Sequence, residues 1–503
     1  MAPASKFLGL RGQSLILAQI LTIVAPAYIL FGYNQSNLGG LVNLPDFVKN
    51  FPRIDTINTT GNEKSNNATI QGLVVATMTL GALPGCLSCS WSADRFGRRA
   101  IVFLGALLSL VGEILEASSF SLAQLIIGRI ILGAGIGMLS GTVPTLQSEC
   151  ASSQNRGRSV VLVGLFMSLG YVLQAWINLG FYEYKAGGPV TWRPPISIAA
   201  AFSIYLMAFV FAMPESPRWL LRTGRVAEAR ETLSALRDLP PDDEAIRAEM
   251  AAIEISLEDG GGADKKASLT ELLTMGEDKL LYRFCICILL QFYQQMSGGN
   301  LISVYSTVIF QQGLGLSAQT SRILSGGTLT WKFLSCFVSF FTIDRFGRRA
   351  ALMVSGTGMA SCMLGLAVAT SYPKTNFAAQ VISVLFIFLF NFFIPIGFLG
   401  ANFLYCTEVA PLRLRVAMAS ISTANHWLWN LVVTLITPVA INSIGFKYYI
   451  VYATMNMRLE DIDLIFRNSP SVLETVRFAK TRPHIVVEET MQAKEKTAHL
   501  ESP

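Results

Sequence analysis

A chain of 503 residues in which 52% are hydrophobic and only 14% charged, with a mean hydropathy of +0.47, is too apolar for a soluble enzyme of this length and belongs in a lipid bilayer. The formal net charge of +6 is modest and sits mostly in short loops between apolar runs, a pattern of membrane topology and not of nucleic-acid binding.

About 30 Å of hydrocarbon requires roughly 20 apolar residues at 1.5 Å rise per residue. Runs of that kind fall near 15–33, 70–90, 100–117, 121–143, 158–178, 195–213, 284–312, 322–343, 350–369, 379–404 and 417–440, so an all-α, multi-pass membrane protein is expected. Residues 1–14 read as a tail, too short and too unlike a cleavable signal to be one. The first run closes on Phe31-Gly32-Tyr33-Asn34, and Asn34 is open to three roles: a cap, a sugar ligand or the neutral stand-in for a proton-carrying carboxylate. Residues 34–69 form the first loop, with glycosylation sequons at Asn58 and Asn67. Arginines cluster after even-numbered spans, at Arg95, Arg98 and Arg99, at Arg156 and Arg158, at Arg345, Arg348 and Arg349, and at Arg413 and Arg415. The positive-inside rule puts those loops and the N-terminus in the cytosol. Cys86 and Cys89 lie inside an apolar helix and read as packing residues, not as a metal or redox pair.

The chain also repeats itself. Asp94-Arg95-Phe96-Gly97-Arg98-Arg99 recurs letter for letter as Asp344-Arg345-Phe346-Gly347-Arg348-Arg349, and Glu149 precedes Arg156 by the same interval at which Glu408 precedes Arg415. Identical hexamers at equivalent places in the topology indicate two parallel repeats related by an axis along the membrane normal. The halves are 15–213 and 282–457, joined by a charged, amphipathic segment at 214–281 that reads as a cytoplasmic linker, and 458–503 forms a polar tail. Each hexamer sets an aspartate and arginines at a helix end, where Asp94 can cap the following helix and pair with arginine. We expect Asp94, Arg98, Glu149 and Arg156 to form a breakable latch of ion pairs.

The two hexamers, Gly128-Arg129 opening "GRIILGAGIG", "PESPRWL" at 214–220 and "QQMSGGN" at 294–300 together resemble the sugar porter family of the major facilitator superfamily, with fungal hexose and pentose transporters the nearest in character. The resemblance runs from about residue 15 to 467. It implies two pseudo-symmetric six-helix halves that carry a monosaccharide by alternating access. It also implies a second latch of Asp344, Arg348, Glu408 and Arg415, sugar binding by Gln294, Gln295 and Asn300, and an outer gate at Tyr305. "TANHWLWN" at 423–430 resembles the family's Asn-Trp-x-x-Asn, which assigns Trp427 to the pyranose face and Asn430 to a hydroxyl. Apart from the resemblance, neutral amides at mid-membrane suit neutral hydroxyls, and Ser297-Gly298-Gly299 reads as a helix break facing a ligand.

Several positions depart from the pattern. The glutamines that the family carries on the fifth span fall at Gly164 and Tyr171, the tenth-span tryptophan becomes Phe403, and His426 replaces an asparagine. Lys332, beside Trp331, lies in an apolar run, where an ionisable group is costly; it is either functional or snorkelling to the surface. In proton-coupled members of the family an aspartate stands where this chain has Asn34, within reach of the arginine matched here by Arg129. An amide takes up no proton near neutral pH, so facilitated diffusion is expected, with Glu113 and Glu116 of the third span as the carboxylates through which protons could still act. From Arg156 to Pro214 is 58 residues but from Arg415 to Leu459 only 44. The twelve residues 446–457 rise only about 18 Å as a helix, so the twelfth span is expected to be shortened. A sugar receptor on the same fold is a rival function. An enzyme finds little support, because the three histidines, His426, His484 and His499, form no metal spacing or nucleophile triad, and no cofactor is expected.

Overall fold

In hydrocarbon every backbone N–H and C=O must be satisfied within the chain, so a sequence this apolar folds into helices. The computed structural model describes residues 7–151, 156–184, 188–258, 280–346, 348–373, 375–399, 406, 409–410 and 415–454, with side chains outside 156–161, 256–258, 340–349, 415–417 and 453–454. In the first half the long helices are α1 (Gly12–Leu41), α2 (Gly61–Phe96), α3 (Arg98–Ala117), α4 (Leu122–Cys150), α5 (Arg156–Glu183) and α6 (Arg193–Ala212). Three short helices follow, α7 (Pro217–Arg222), α8 (Val226–Arg237) and α9 (Glu244–Glu258). The second half holds α10 (Leu280–Met296), α11 (Gly299–Val304), α12 (Ala318–Phe346), α13 (Arg348–Thr370), α14 (Phe377–Gly397), α15 (Arg415–Ser443) and α16 (Lys447–Thr454). Among the described residues nine helices, α1 to α6 and α13 to α15, are long and apolar enough to cross a membrane.

The expected span at 284–312 is not one helix. α10 stops at Met296, Gly298 takes φ +84°, and α11 restarts at Gly299. Only glycine enters that left-handed region cheaply, so the Ser-Gly-Gly stretch breaks the helix where the sequence indicated. α16 has only 8 residues, and the tail that carries "LEDID" lies outside the described residues.

Tight packing comes from small side chains. A Cβ on Gly133 would overlap the carbonyl oxygen of Met78, which fixes α2 and α4 in backbone contact, the close approach that glycine permits between membrane helices. The halves meet along two helix pairs, α2 against α15 and α5 against α12. Beside the second pair, a Cβ on Gly164 of α5 would stand 2.7 Å from the carbonyl oxygen of Leu399, just past the end of α14. That contact gives a physical reason for the missing glutamine: no side chain fits there. Helices α7 to α9 form a satellite core of Trp219, Leu220, Leu221, Leu233, Ile246 and Met250.

Helices also overrun their apolar runs. α1 continues to Leu41 and α2 starts at Gly61, so Asn34 is a buried helical residue and not an edge residue, and the first loop is 42–60. Asp55 ties that loop: its carboxylate accepts from the backbone N–H of Ile57 (2.9 Å) and Asn58 (3.0 Å) and from Asn58 Nδ2 (2.9 Å). The sequon residue Asn67 is buried and donates to the Asp55 carbonyl at 2.8 Å, whereas Asn58 is exposed. Burial pushes the Asp55 carboxyl up, but the hydrogen bonds from Asn58 and Ile57 outweigh it and hold the group below the ordinary carboxylate value. A depressed folded-state value gives stability that is present above the unfolded value of about 3.9 and is lost as pH falls through the folded one. The thermal midpoint of the solubilised protein should therefore drop on acidification below about pH 4, and Asp55→Asn should drop less; equal losses would remove Asp55 from the acid response.

Candidate substrate site

The break after Met296 turns three amides toward the seam between the halves. Gln295 is fully buried, donates from Nε2 to His426 Nε2 at 3.1 Å and accepts from Asn300 Nδ2. His426 Nδ1 lies 2.7 Å from Gln294 Oε1. Gln295 Nε2 also lies 2.9 Å from His426 Nδ1, so the imidazole sits against both glutamines. The cluster crosses to the first half through Gln35, whose Nε2 donates to Asn300 Oδ1 at 3.3 Å and whose Oε1 accepts from Tyr171 OH at 3.1 Å. The sequence reading missed Gln35, although it stands beside Asn34 in the same buried turn of α1. It also set Tyr171 down as a lost glutamine, and this phenol holds Gln35 in place.

Trp427 is fully buried, donates from Nε1 to Ser140 Oγ at 3.2 Å and packs edge-on against Phe31 with ring centroids 5.1 Å apart. In this state Phe31 occupies ring surface that the sequence reading assigned to a sugar. Asn430 Oδ1 accepts from Thr434 Oγ1 at 3.0 Å, while its buried Nδ2 has no partner, leaving a donor free for a ligand. Tyr305 is buried and donates to the Thr434 carbonyl at 2.9 Å. Toward the end opposite the DRFGRR loops, Gln312 Nε2 donates to Asn43 Oδ1 (3.3 Å) and Thr56 Oγ1 (3.1 Å), and Asn43 Nδ2 donates to Gln311 Oε1 (3.4 Å). These bonds tie the two halves together beyond Tyr305.

Lys332 does not snorkel. It is 2% exposed, and its ammonium donates to Ser303 Oγ at 2.8 Å and lies 4.5 Å from the centroid of the Tyr171 ring.

Around Asn34 the third helix has supplied the acids. Asn34 Nδ2 donates to Glu113 Oε1 at 2.9 Å, and Ser203 Oγ donates to Glu113 Oε2 at 3.0 Å. Arg129 pairs with Glu116 at 3.5 Å and donates to the Val75 carbonyl at 3.1 Å, both side chains being buried. Asn34 and Arg129 thus belong to one buried polar region yet face different carboxylates.

At the DRFGRR end of the first half, Arg98 grips Glu149 with two bonds, Nε to Oε2 at 3.1 Å and Nη2 to Oε1 at 3.3 Å, and pairs with Asp94 at 3.3 Å. The expected cap is corrected. Glu215, not Asp94, accepts the free N–H groups of Arg98 and Arg99, each at 3.1 Å, at the start of α3, because the chain from α6 returns there. Asp94 pairs instead with Arg222 at 2.6 Å. The acidic residue of "PESPRWL" before a Ser-capped helix was the signal available for Glu215. The side chains of Arg156, Asp344, Arg348, Glu408, Arg415 and Phe403 lie outside the described residues.

Comparison with known proteins identifies the family. A family model described as "Sugar (and other) transporter" matches residues 20–459. Sugar transporter STL1 of Saccharomyces cerevisiae is 31% identical over 480 residues, covering 91% of this chain and 82% of that protein. High-affinity fructose transporter ght6 of Schizosaccharomyces pombe is 31% identical over 464 residues, covering 90% and 85%. Among solved structures, a partially occluded inward-open form of the xylose transporter XylE from E. coli superposes with a TM-score of 0.72 at 20% identity over 88% of this chain and 96% of that one. XylE bound to 6-bromo-6-deoxy-D-glucose gives 0.74 at 21% identity, over 88% and 94%. The chain belongs to the sugar (and other) transporter family and is a sugar porter of the major facilitator fold.

Proposed function

We propose that this protein carries a monosaccharide, a hexose or pentose, across the plasma membrane by alternating access, with its N-terminus and DRFGRR loops in the cytosol. The observation that carries the reading is the amide cluster of Gln294, Gln295 and Asn300, joined to Gln35 of the opposite half. A neutral polyol that inserts there exchanges water partners for protein ones, and the Gln35–Asn300 bond it replaces is one of those that join the halves. Trp427 and Asn430 complete the site once Phe31 withdraws, and Tyr305 with the Gln312–Asn43 bonds acts as the outer gate. The halves 15–213 and 282–457 rock about this centre, tethered by 214–281. Arg98 with Asp94 and Glu149, extended by Arg156, forms one cytoplasmic latch, and Asp344, Arg348, Glu408 and Arg415 form its repeat.

Movement is downhill, because the chain carries the amide Asn34 where proton-coupled members of the family carry an aspartate. Proton symport is favoured by the buried carboxylates of that region, Glu113 bonded by Asn34 and Glu116 paired with Arg129. Uptake of labelled glucose and xylose into proteoliposomes distinguishes the two, and a sensor is excluded by any saturable uptake. We expect equilibration without accumulation under an inward proton gradient, unaffected by a protonophore. Protonophore-sensitive accumulation that Glu113→Gln abolishes would establish symport instead.

A further inference from the structure

Two cations sit on the face of α12 that lines the seam, and neither forms an ion pair among the described residues. Among the described residues the Lys332 ammonium bonds a hydroxyl and faces an aromatic ring. Arg322, 4% exposed, lies over the Tyr182 ring at 4.1 Å and donates from Nη1 to the Ala318 carbonyl at 3.0 Å, while its Nη2 is buried without a partner. Arg322 borders a narrow polar crevice between the halves, lined also by Ser36, Gln174, Asn178, Ser306 and Ser325. Ser303, the partner of Lys332, lines the same crevice. Ten residues of helix put Lys332 about 15 Å deeper than Arg322. There it adjoins the amide cluster through Tyr171, Gln35 and Asn300.

Among the described residues no acid of the neighbouring helices forms an ion pair with either cation, and Glu183 acts on Arg322 only through space. Glu113 is held by Asn34 and Ser203, Glu116 by Arg129, and Glu183 is exposed at the end of α5. A buried cation with no counter-charge is costly in the membrane interior and persists where a ligand supplies the charge. In this state a wholly neutral sugar would leave the buried Lys332 without a counter-charge among the described residues. A substrate with one carboxylate beside its hydroxyls would pair with Arg322 on entry and with Lys332 at the centre, while its hydroxyls meet Gln295 and Asn300.

Resting on the monosaccharide reading above, we propose that the preferred substrate class is the acidic monosaccharides, uronates and aldonates, with Lys332 as the carboxylate ligand and Arg322 as the entry cation. The test uses matched pairs that differ in the acid group, D-galacturonate against D-galactose and D-gluconate against D-glucose, in proteoliposomes of the full chain with the membrane potential clamped at zero. We expect the acid of each pair to be taken up, or to compete, at least tenfold better, and Lys332→Gln to lower the acid-to-neutral uptake ratio at least tenfold. Arg322→Gln should lower it less, mainly through acid uptake at low concentration. Uptake of galactose or glucose with no uptake of, or competition by, either acid would overturn this inference and leave the transporter reading standing. Entry of none of the four would overturn both.

Discussion

Replacing Glu116 with alanine is expected to destabilise the protein by about 3–5 kcal/mol, the largest loss from any single substitution considered. Glu116 and Arg129 are buried against each other at 3.5 Å, and without the carboxylate Arg129 keeps one described partner, the Val75 carbonyl. A guanidinium stranded among α2, α3 and α4 must bring in water or distort the close backbone contact of α2 with α4. The double variant Glu116→Leu/Arg129→Met removes both charges and should recover most of the stability, since a buried pair replaced by apolar groups of similar volume is often neutral. Thermal unfolding in detergent checks both. If Glu116→Ala melts with the parent, the pair contributes no more than a surface bridge. If the double variant is stable but moves no substrate, Arg129 serves the transport cycle and not the fold.

That pair shows where the sequence was legible and where it was not. Nine of the eleven expected spans fall on described helices long and apolar enough to cross, because hydrocarbon leaves a chain one way to satisfy its backbone, and the duplicated hexamer pointed to the two halves. The break at Gly298 was readable because glycine and serine at that spacing have a backbone consequence. Partners were a different matter. Glu113 and Glu116 could be named as buried acids, but one helical turn separates them, and only the packing of α3 against α4 and α6 decides which meets Arg129 and which meets Asn34. Glu215 likewise lies more than a hundred residues from the N–H groups it caps, a contact that no local pattern encodes. The apolar runs understated α1 and α2 because polar residues such as Asn34, Gln35 and Asn67 face protein, so helices continue past the point where hydropathy fails. Lys332 was ambiguous for the same reason, since one residue's burial is set by neighbours from another half of the chain.

Gln295→Ala should lower uptake at sub-saturating substrate by about 10- to 100-fold, the equivalent of roughly 1.5–3 kcal/mol for hydrogen bonds whose buried partners are left behind. The side chain lies at the crossing of the cluster, bonded to His426, Gln294 and Asn300. Removing it takes away a ligand for hydroxyls and releases Asn300 from the geometry in which it meets Gln35. Interhelical glue and substrate contact predict different patterns. If Gln295 only joins α10 to α15, the variant melts earlier and its remaining folded fraction transports normally. If it binds substrate, melting changes little, the apparent affinity falls, and the stabilisation of the protein by added substrate disappears, because that stabilisation reports binding to the folded state alone. Measuring flux and substrate-dependent melting on the same preparation separates these cases. Full uptake with an intact substrate-induced shift would move the site away from the α10 break and toward the crevice beside Arg322.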